Sequence, residues 1–160
     1  MLDDYYSRKK TINSDGVVAF ANQHDRENER EVSKLIEQRW DCEVKPFGQL
    51  CAIDFYVLRR GSLIALMELK SRTHSSDKYE TVFLNVRKWL ALTMGEIGLG
   101  VPSIYIVKFT DKTMFIPIKE INAGRNIIGG TKRIVKSHTD IEPVIEVEVK
   151  SMRCLNERES

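Results

Sequence analysis

The chain has 160 residues, of which 42% are hydrophobic and 30% are charged. This length and composition are typical of one soluble globular domain with a buried core. The net charge of +2 is too small to argue for nucleic-acid binding from bulk electrostatics. Three cysteines without a CxxC pair favour neither disulfides nor structural zinc, and we expect a reducing, cytoplasmic location. No segment has the run of apolar residues that a membrane span needs.

The first half of the chain predicts a helix followed by strands. Residues 1–23 are polar, show no clear period, and are assigned to an N-terminal arm. Apolar residues recur at helical spacing on one side of His24–Trp40, which predicts a helix. Cys42–Phe47 is a short strand candidate. Two apolar runs, Leu50–Leu58 and Ser62–Leu69, then predict a hairpin whose second strand is central.

A second helix is expected after a short β-rich segment, Thr81–Leu84. Asn85 is a suitable N-cap for a helix from Val86 to Gly95. Three closely spaced glycines mark the expected end of that helix: Gly95, Gly98 and Gly100.

The remainder of the chain predicts mainly strands. Ser103–Phe109 has the composition of a buried strand, and Thr113–Ile118 follows as a shorter one. Gly124–Gly130 is expected to be a flexible connection. Val144–Lys150 alternates apolar and charged residues, as a half-exposed strand does. The order of elements predicts an α/β fold with a mixed sheet covered by helices.

Three charged residues lie in the apolar hairpin: Asp54, Glu68 and Lys70. Burying a charge is costly unless it is paired. If the loop is the three residues 60–62, Asp54 lies opposite Glu68, with Cβ atoms roughly 4.5–5.5 Å apart. Lys70 then shares their face, because side chains alternate along a strand. A two-residue turn would place Asp54 on the other face.

Two facing carboxylates repel each other unless a cation lies between them. Hard oxygen ligands suit Mg²⁺ (or Mn²⁺), which usually keeps several waters and binds one or two carboxylates plus a phosphate oxygen. The chemistry that this predicts is metal-assisted phosphodiester hydrolysis, with Lys70 assisting the attacking water. A structural alternative is a buried ion pair between Asp54 and Lys70, with Glu68 at the frayed end of its strand.

Asp54, thirteen intervening residues and then Glu68-Leu69-Lys70 resemble the PD-(D/E)XK nuclease superfamily, although Ile53 stands where the pattern has proline. The resemblance implies a restriction-endonuclease-like core of helix, three-stranded meander, helix and strand, over about residues 24–118. Residues 119–160 would then be a C-terminal β extension of a single nuclease domain. The stretches NEREVSKLIEQRW and SIYIVKF are most similar to the archaeal Holliday-junction resolvases.

The resemblance also assigns the family's helix glutamate to Glu29, which would complete the metal shell directly or through water. Glu29 precedes Val32 by three residues and Ile36 by seven, so it points towards the buried side of the helix. The alternative is an acidic first-turn residue favoured by the helix dipole.

DNA is the expected partner, and five basic residues are candidates for contacting it: Arg59, Arg60, Arg72, Arg87 and Lys88. Many superfamily members place a lysine or glutamine near the scissile phosphate, at the start of the second helix, as Lys88 is here. The alternative for each residue is a solvated surface cation.

The resemblance implies a metal-dependent endodeoxyribonuclease, acting on branched or junction DNA or as a homing or restriction-type enzyme. The alternative is a non-catalytic DNA-binding or protein-interaction module on the same scaffold. A homodimer is expected, because two coordinated cuts need two sites. The proposed interface residues are Trp89, Leu92 and Met94, together with the edge of the strand Val144–Lys150.

Overall fold

The structure is a computed structural model that describes residues 10–12, 18–20, 23–48, 51–130 and 141–156. These residues form two α-helices, α1 (Gln23–Trp40) and α2 (Val86–Leu99). The strands in chain order are β1 (Lys10–Ile12), β2 (Val18–Phe20), β3 (Glu43–Pro46), β4 (Phe55–Arg59), β5 (Ser62–Ser71), β6 (Thr81–Asn85), β7 (Ser103–Lys108), β8 (Thr113–Pro117), β9 (Asn126–Gly130), β10 (Ile141–Glu148) and β11 (Arg153–Cys154). The predicted α/β class is confirmed.

A six-stranded mixed sheet with the order β11-β8-β7-β5-β4-β3 forms the centre of the fold. Strands β3, β4 and β5 are an antiparallel meander. Strand β7 pairs with β5 in parallel, so the chain must cross over the sheet between them, and α2 lies in that crossover. The predicted order of helix, three-stranded meander, helix and strand is therefore confirmed.

The two helices cover opposite faces of this sheet. Val32 and Ile36 of α1 pack in one buried cluster with Met67 of β5. Leu92 of α2 packs in a second cluster with Leu66, the neighbour of Met67 on β5. Because adjacent side chains on a strand point to opposite faces, Leu66 and Glu68 of β5 face α2 whereas Met67 faces α1.

The hairpin turn between β4 and β5 has two residues instead of the predicted three. Arg59 pairs with Ser62, which leaves Arg60 and Gly61 as the turn. Both have positive φ, 50° and 77°, as a turn that matches the twist of a hairpin requires. The prediction of a three-residue loop was wrong, because Arg60 adopts the positive φ that glycine usually supplies in a two-residue turn.

A β-bulge restores the predicted facing of the two carboxylates. The pairing shifts by one residue in the middle of β4, which leaves Ile64 as the extra residue of β5. The ladder ends with Phe55 opposite Met67. One step further, Asp54 lies across from Glu68, and both face α2. The two-residue turn and the bulge together give the arrangement that the three-residue loop was expected to give.

Helix α2 is four residues longer than predicted, because it continues through Gly95 and Gly98. It ends at Gly100, which has a left-handed φ of 67° and donates its N–H to the carbonyl of Glu96. A Cβ on Gly95 would lie 2.6 Å from Cδ1 of Leu66. Gly95 therefore marks close packing of the helix on the sheet and not the end of the helix.

A second sheet, with the order β6-β10-β9, corrects two predictions about the C-terminal third. Most of the expected flexible connection at Gly124–Gly130 is strand β9, which pairs with Ile141–Ile145 of β10. The pairing partner lies outside the local sequence that suggested a loop.

Strand β10 is the middle strand of this sheet, so the predicted edge-to-edge pairing of Val144–Lys150 in a dimer is wrong. Val144–Glu148 pairs with β6 on one side. On the other side, beyond the pairs with β9, the N–H of Glu146 donates to the carbonyl of Arg125 (2.8 Å). Both backbone edges of the strand are occupied within the chain.

The predicted N-terminal arm also contains structure, since β1 and β2 pair antiparallel. Residues 1–9, 13–17 and 21–22 of that arm lie outside the described residues, as does Leu50, where the first hairpin strand was predicted to begin. Neither helix in the described part of the chain has the length and apolar character needed to cross a membrane.

Comparing two glycines of α2 tests the close packing at Gly95. Gly98 has open space around it, so Gly98→Ala should gain up to about 1 kcal/mol of unfolding free energy from helix propensity. Gly95→Ala should lose stability by roughly 1–3 kcal/mol instead, because its methyl group overpacks Leu66. Urea unfolding of the two variants measures the difference, and equal stability would contradict the packing argument.

Candidate active site

Three charged side chains meet at the α2 face of the sheet. Asp54 immediately precedes β4, Glu68 lies in β5, and Lys88 lies in the first turn of α2. The Lys88 Nζ atom donates to Asp54 Oδ1 at 2.9 Å and to Glu68 Oε2 at 3.0 Å. One ammonium therefore joins two carboxylates that come from neighbouring strands.

The site is buried at Glu68 and open to solvent at the other two residues. The Glu68 side chain is 2% exposed, whereas those of Asp54 and Lys88 are 22% and 24% exposed. A ligand can therefore reach Asp54 and Lys88 from the solvent, while Glu68 forms the floor of the site.

Electrostatics make the two carboxylates difficult to ionise together. Burial and the nearby charge of Asp54 raise the pKa of Glu68 to about 8, and the attraction of Lys88 only partly opposes this. For Lys88, burial acts to lower the pKa, but Glu68 and Asp54 outweigh it, so that the pKa of the amine is raised. The site thus holds more negative charge than one ammonium compensates when both carboxylates are ionised.

The donor set fits a hard divalent cation. Mg²⁺ usually binds through one or two carboxylates while waters and a phosphate oxygen complete its shell, and this site offers one buried and one solvent-accessible carboxylate. A cation there would also relieve the repulsion that raises the pKa of Glu68. Among the residues that the structure describes, no group of three or more His, Cys, Asp or Glu side chains could hold a metal ion. Two carboxylates are therefore the protein's contribution in this conformation.

Comparison with known proteins places the chain in a family. Residues 18–155 match a family model described as "Phage putative PDDEXK endonuclease". The chain belongs to this family. No curated protein matches it. The predicted PD-(D/E)XK relationship is confirmed, and the family match spans both carboxylates and both lysines of the region.

Among solved structures, the chain is similar to the 1.6 Å structure of Hjc, a Holliday junction resolvase from the archaeal hyperthermophile Archaeoglobus fulgidus. The TM-score is 0.47 and the sequence identity is 12%, over 76% of this chain and 84% of that one.

In this PDDEXK chain, the lysine that contacts both carboxylates is Lys88, from the start of α2, and the role predicted for Lys70 stays a prediction. Lys70 lies on the same sheet face as Glu68, two residues further along β5, and its side chain is exposed. The sequence pattern assigned Lys88 to DNA alone. The contact of Lys88 with the carboxylates could have been predicted from the crossover connection, because that connection carries the first turn of α2 back over the hairpin.

Glu29 does not join this cluster. Its helix, α1, packs on the opposite face of the sheet from α2. The first turns of α1 are tied to the end of β7, where Lys108 Nζ donates to Asn28 Oδ1 at 2.7 Å. Lys108 pairs with Ser71, which lies three residues beyond Glu68, roughly 10 Å along the strand. The metal role of Glu29 stays a prediction.

Arg59 and Arg60 lie far from the carboxylates. They are at the hairpin turn, whereas Asp54 precedes the other end of β4, about 16 Å away at 3.3 Å per residue. Arg59 donates to the carbonyl groups of Trp40 and Asp41. These carbonyls end α1, so the guanidinium caps the helix C-terminus. The structure does not bring this predicted DNA-binding pair to the site.

Arg87 and Arg72 are closer to the site. Arg87 adjoins Lys88 and is exposed, with its Nη2 atom 3.5 Å from a Glu142 carboxylate oxygen. Arg72 follows β5 and donates to the carbonyl of Phe83 at 3.2 Å. Both can present positive charge near the face that carries Glu68.

Residues of the C-terminal extension contact the residue that precedes α2. Asn85 occupies the predicted N-cap position but makes no side-chain capping bond. Its amide instead donates to Glu142 of β10 at 2.5 Å, and Asn85 also pairs with Val144 in the second sheet. Strand β6, which leads directly into the helix that carries Lys88, is therefore held in place by residues of β10.

The raised pKa of Glu68 predicts how the stability of the metal-free protein depends on pH. The folded state keeps the Glu68 proton up to about pH 8, whereas an unfolded glutamate releases it near its ordinary value of 4.5. Between these values the folded state binds more protons, so the free energy of unfolding should fall as pH rises. Urea unfolding in a chelator, from pH 4.5 to 8, measures this slope.

The variant Glu68→Gln should flatten this slope, because it removes the titrating group and preserves the shape of the side chain. Glu80→Gln, at an exposed glutamate, is the control and should follow the wild type. Parallel curves for wild type and Glu68→Gln would show that Glu68 does not titrate in this range.

Proposed function

We propose that this protein is a metal-dependent endodeoxyribonuclease that hydrolyses phosphodiester bonds of DNA. The observation that carries the proposal is the meeting of Asp54, Glu68 and Lys88 at one solvent-accessible point. Membership of the PDDEXK endonuclease family supports hydrolysis as the reaction class.

Asp54 and Glu68 would hold Mg²⁺ or Mn²⁺. When bound, the metal would polarise a phosphoryl oxygen and lower the pKa of a coordinated water. Glu68 would hold the metal from the buried floor of the site, and the more exposed Asp54 would hold it from the side that the substrate enters. Lys70 and Lys88 approach the same face from a strand and a helix. Lys70 would hold the attacking water, and Lys88 would stabilise negative charge that develops on the phosphate.

The first turn of α2 would bind the DNA backbone. Arg87 and Lys88 are consecutive cations there, and unpaired backbone N–H groups of a helix N-terminus also attract phosphate. Arg72 would add a further phosphate contact beyond β5. Contacts of this kind position the duplex without reading its sequence.

The rival function, a binding module that does not cut, is disfavoured by the same charges. A buried glutamate beside an aspartate costs folding free energy. It also repels the phosphates that a DNA-binding surface must attract. A protein that only binds DNA gains nothing from this pair, whereas a metal-dependent nuclease needs both.

We also propose that the protein acts as a homodimer through α2. Of the predicted interface residues, Leu92 is fully buried in the protein's own core and Trp89 packs against that core, whereas Met94 is 65% exposed. Leu90 and Ile97 are also exposed, four residues before and three after Met94. They form an apolar stripe on the helix that a second copy could cover. Two sites related by a two-fold axis suit two cuts in DNA.

Substitutions at the site should abolish cleavage while the fold is retained. Asp54→Asn, Glu68→Gln and Lys88→Met should each slow cleavage at least about 100-fold, because each removes a charge at the reacting phosphate. Lys70→Met should also slow cleavage strongly, because it removes the cation proposed to hold the attacking water. The measurement is cleavage of duplex, single-stranded and four-way-junction DNA with Mg²⁺.

Lys119→Met is the matched control for the lysine variants, because Lys119 is exposed and lies in neither α2 nor the hairpin. Circular dichroism and thermal melts verify that each variant is folded. Cleavage at the wild-type rate by Lys88→Met or Asp54→Asn would reject the proposed site.

The dimer is tested by light scattering at micromolar concentration. The wild type should have twice the mass of the 18.5 kDa chain. The double variant Met94→Glu with Ile97→Glu should be monomeric, because it places charges in the apolar stripe. Lys119→Glu, which adds charge elsewhere on the surface, should remain a dimer. A wild-type monomer at these concentrations would end the dimer proposal.

A further inference from the structure

The ammonium of Lys88 lies between the two oxygens that a metal would bind. Its Nζ atom is 2.9 Å from Asp54 Oδ1 and 3.0 Å from Glu68 Oε2. These are the lengths of charge-assisted hydrogen bonds, so both oxygens already have a cationic partner. The lysine thus supplies part of the positive charge that a divalent cation would otherwise supply.

The lysine and a metal cannot both occupy this position. Mg²⁺ binds carboxylate oxygens at about 2.0–2.1 Å. An ammonium that stays hydrogen-bonded to the same two oxygens would lie within a few ångströms of the metal. Cations at such a separation repel strongly, most of all beside a buried group that water does not screen. Binding of the metal through Asp54 Oδ1 and Glu68 Oε2 therefore requires the two Lys88 contacts to break.

We propose that Lys88 is a displaceable occupant of the metal site, which a divalent cation must expel from Asp54 and Glu68. This inference rests on the proposed function, because it presumes that these carboxylates bind metal. Lys88 and the divalent cation compete for the carboxylates before the reaction. Once the cation is bound, the displaced ammonium is free to contact a DNA phosphate.

The position of Lys88 makes this movement possible. Its side chain is 24% exposed, so the ammonium can turn outwards without opening the core. A lysine is a point charge on a flexible four-carbon stem, and its three donors can change partners. Arg87, the neighbouring exposed residue, is a second cation on the surface that phosphate would approach. If phosphate receives the displaced ammonium, DNA and metal should each strengthen the binding of the other.

Metal titration without DNA tests the competition. Isothermal titration calorimetry with Mg²⁺ and with Mn²⁺ should show roughly tenfold tighter binding to Lys88→Met than to the wild type. The metal-free variant should melt at a lower temperature than the wild type, because its carboxylates have lost their counter-charge. Its melting temperature should then rise more when metal is added.

Lys70→Met distinguishes displacement of Lys88 by the metal from the general effect of removing one positive charge. It removes a cation on the same sheet face that does not contact the carboxylates, and should change metal affinity less than about threefold, as screened exposed charges do. Equal metal affinity for wild type and Lys88→Met, or an equal gain from Lys70→Met, would overturn the displacement. Absence of binding to both wild type and Lys88→Met would instead reject the metal site, and the proposed function with it.

A measurement on the wild type does not depend on the folding of any variant. Amine-reactive labelling, read by mass spectrometry, should modify Lys88 slowly in a chelator and several-fold faster with millimolar Mg²⁺. Lys119, which is exposed and lies outside α2 and the hairpin, is the internal reference, with a labelling rate that metal should leave nearly unchanged. Asp54→Asn should abolish the metal dependence at Lys88. If the metal binds by calorimetry and the labelling of Lys88 does not rise, the displacement is refuted.

Discussion

The buried carboxylate of Glu68 beside Asp54 is the constraint on which the arrangement of this molecule depends. Two like charges at such close range are unfavourable, most of all when one of them is buried, and the fold supplies one compensating ammonium from Lys88. Burial, together with the charge of Asp54, raises the pKa of Glu68 to about 8, and Lys88 opposes this rise only in part. A site that is under-compensated in this way favours exchange of its single ammonium for a divalent cation, and that property connects the electrostatics to the proposed chemistry.

Several features of the fold serve to bring these three groups together. The bulge at Ile64 sets the register in which Asp54 faces the same side as Glu68. The crossover from β5 to β7 returns the chain over that side of the sheet, and Gly95 lets α2 approach closely. Without the bulge, the register would shift by one residue and place Asp54 on the other face of the sheet, away from Lys88.

The C-terminal third is part of this arrangement and not a mere addition to the core. Strand β10 pairs with β6 up to Asn85, and Ile145 and Val147 of β10 are buried in the same cluster as Leu92 of α2. Glu142 holds the side chain of Asn85 at the junction where β6 becomes α2. The extension thereby stabilises the helix that carries Lys88.

The sequence by itself determined the order of elements and two of the three site residues. Strand and helix periods are local, and Asp54 and Glu68 were conspicuous because charges are rare in apolar strands. Only the tertiary structure decided that Lys88 contacts both carboxylates and that Lys70 does not. Likewise, strand β9 exists because a distant segment pairs with it, and the Asp54 register depends on a bulge that no local pattern marks. Each of these features depends on residues far apart in the chain, whose contacts a local pattern does not encode.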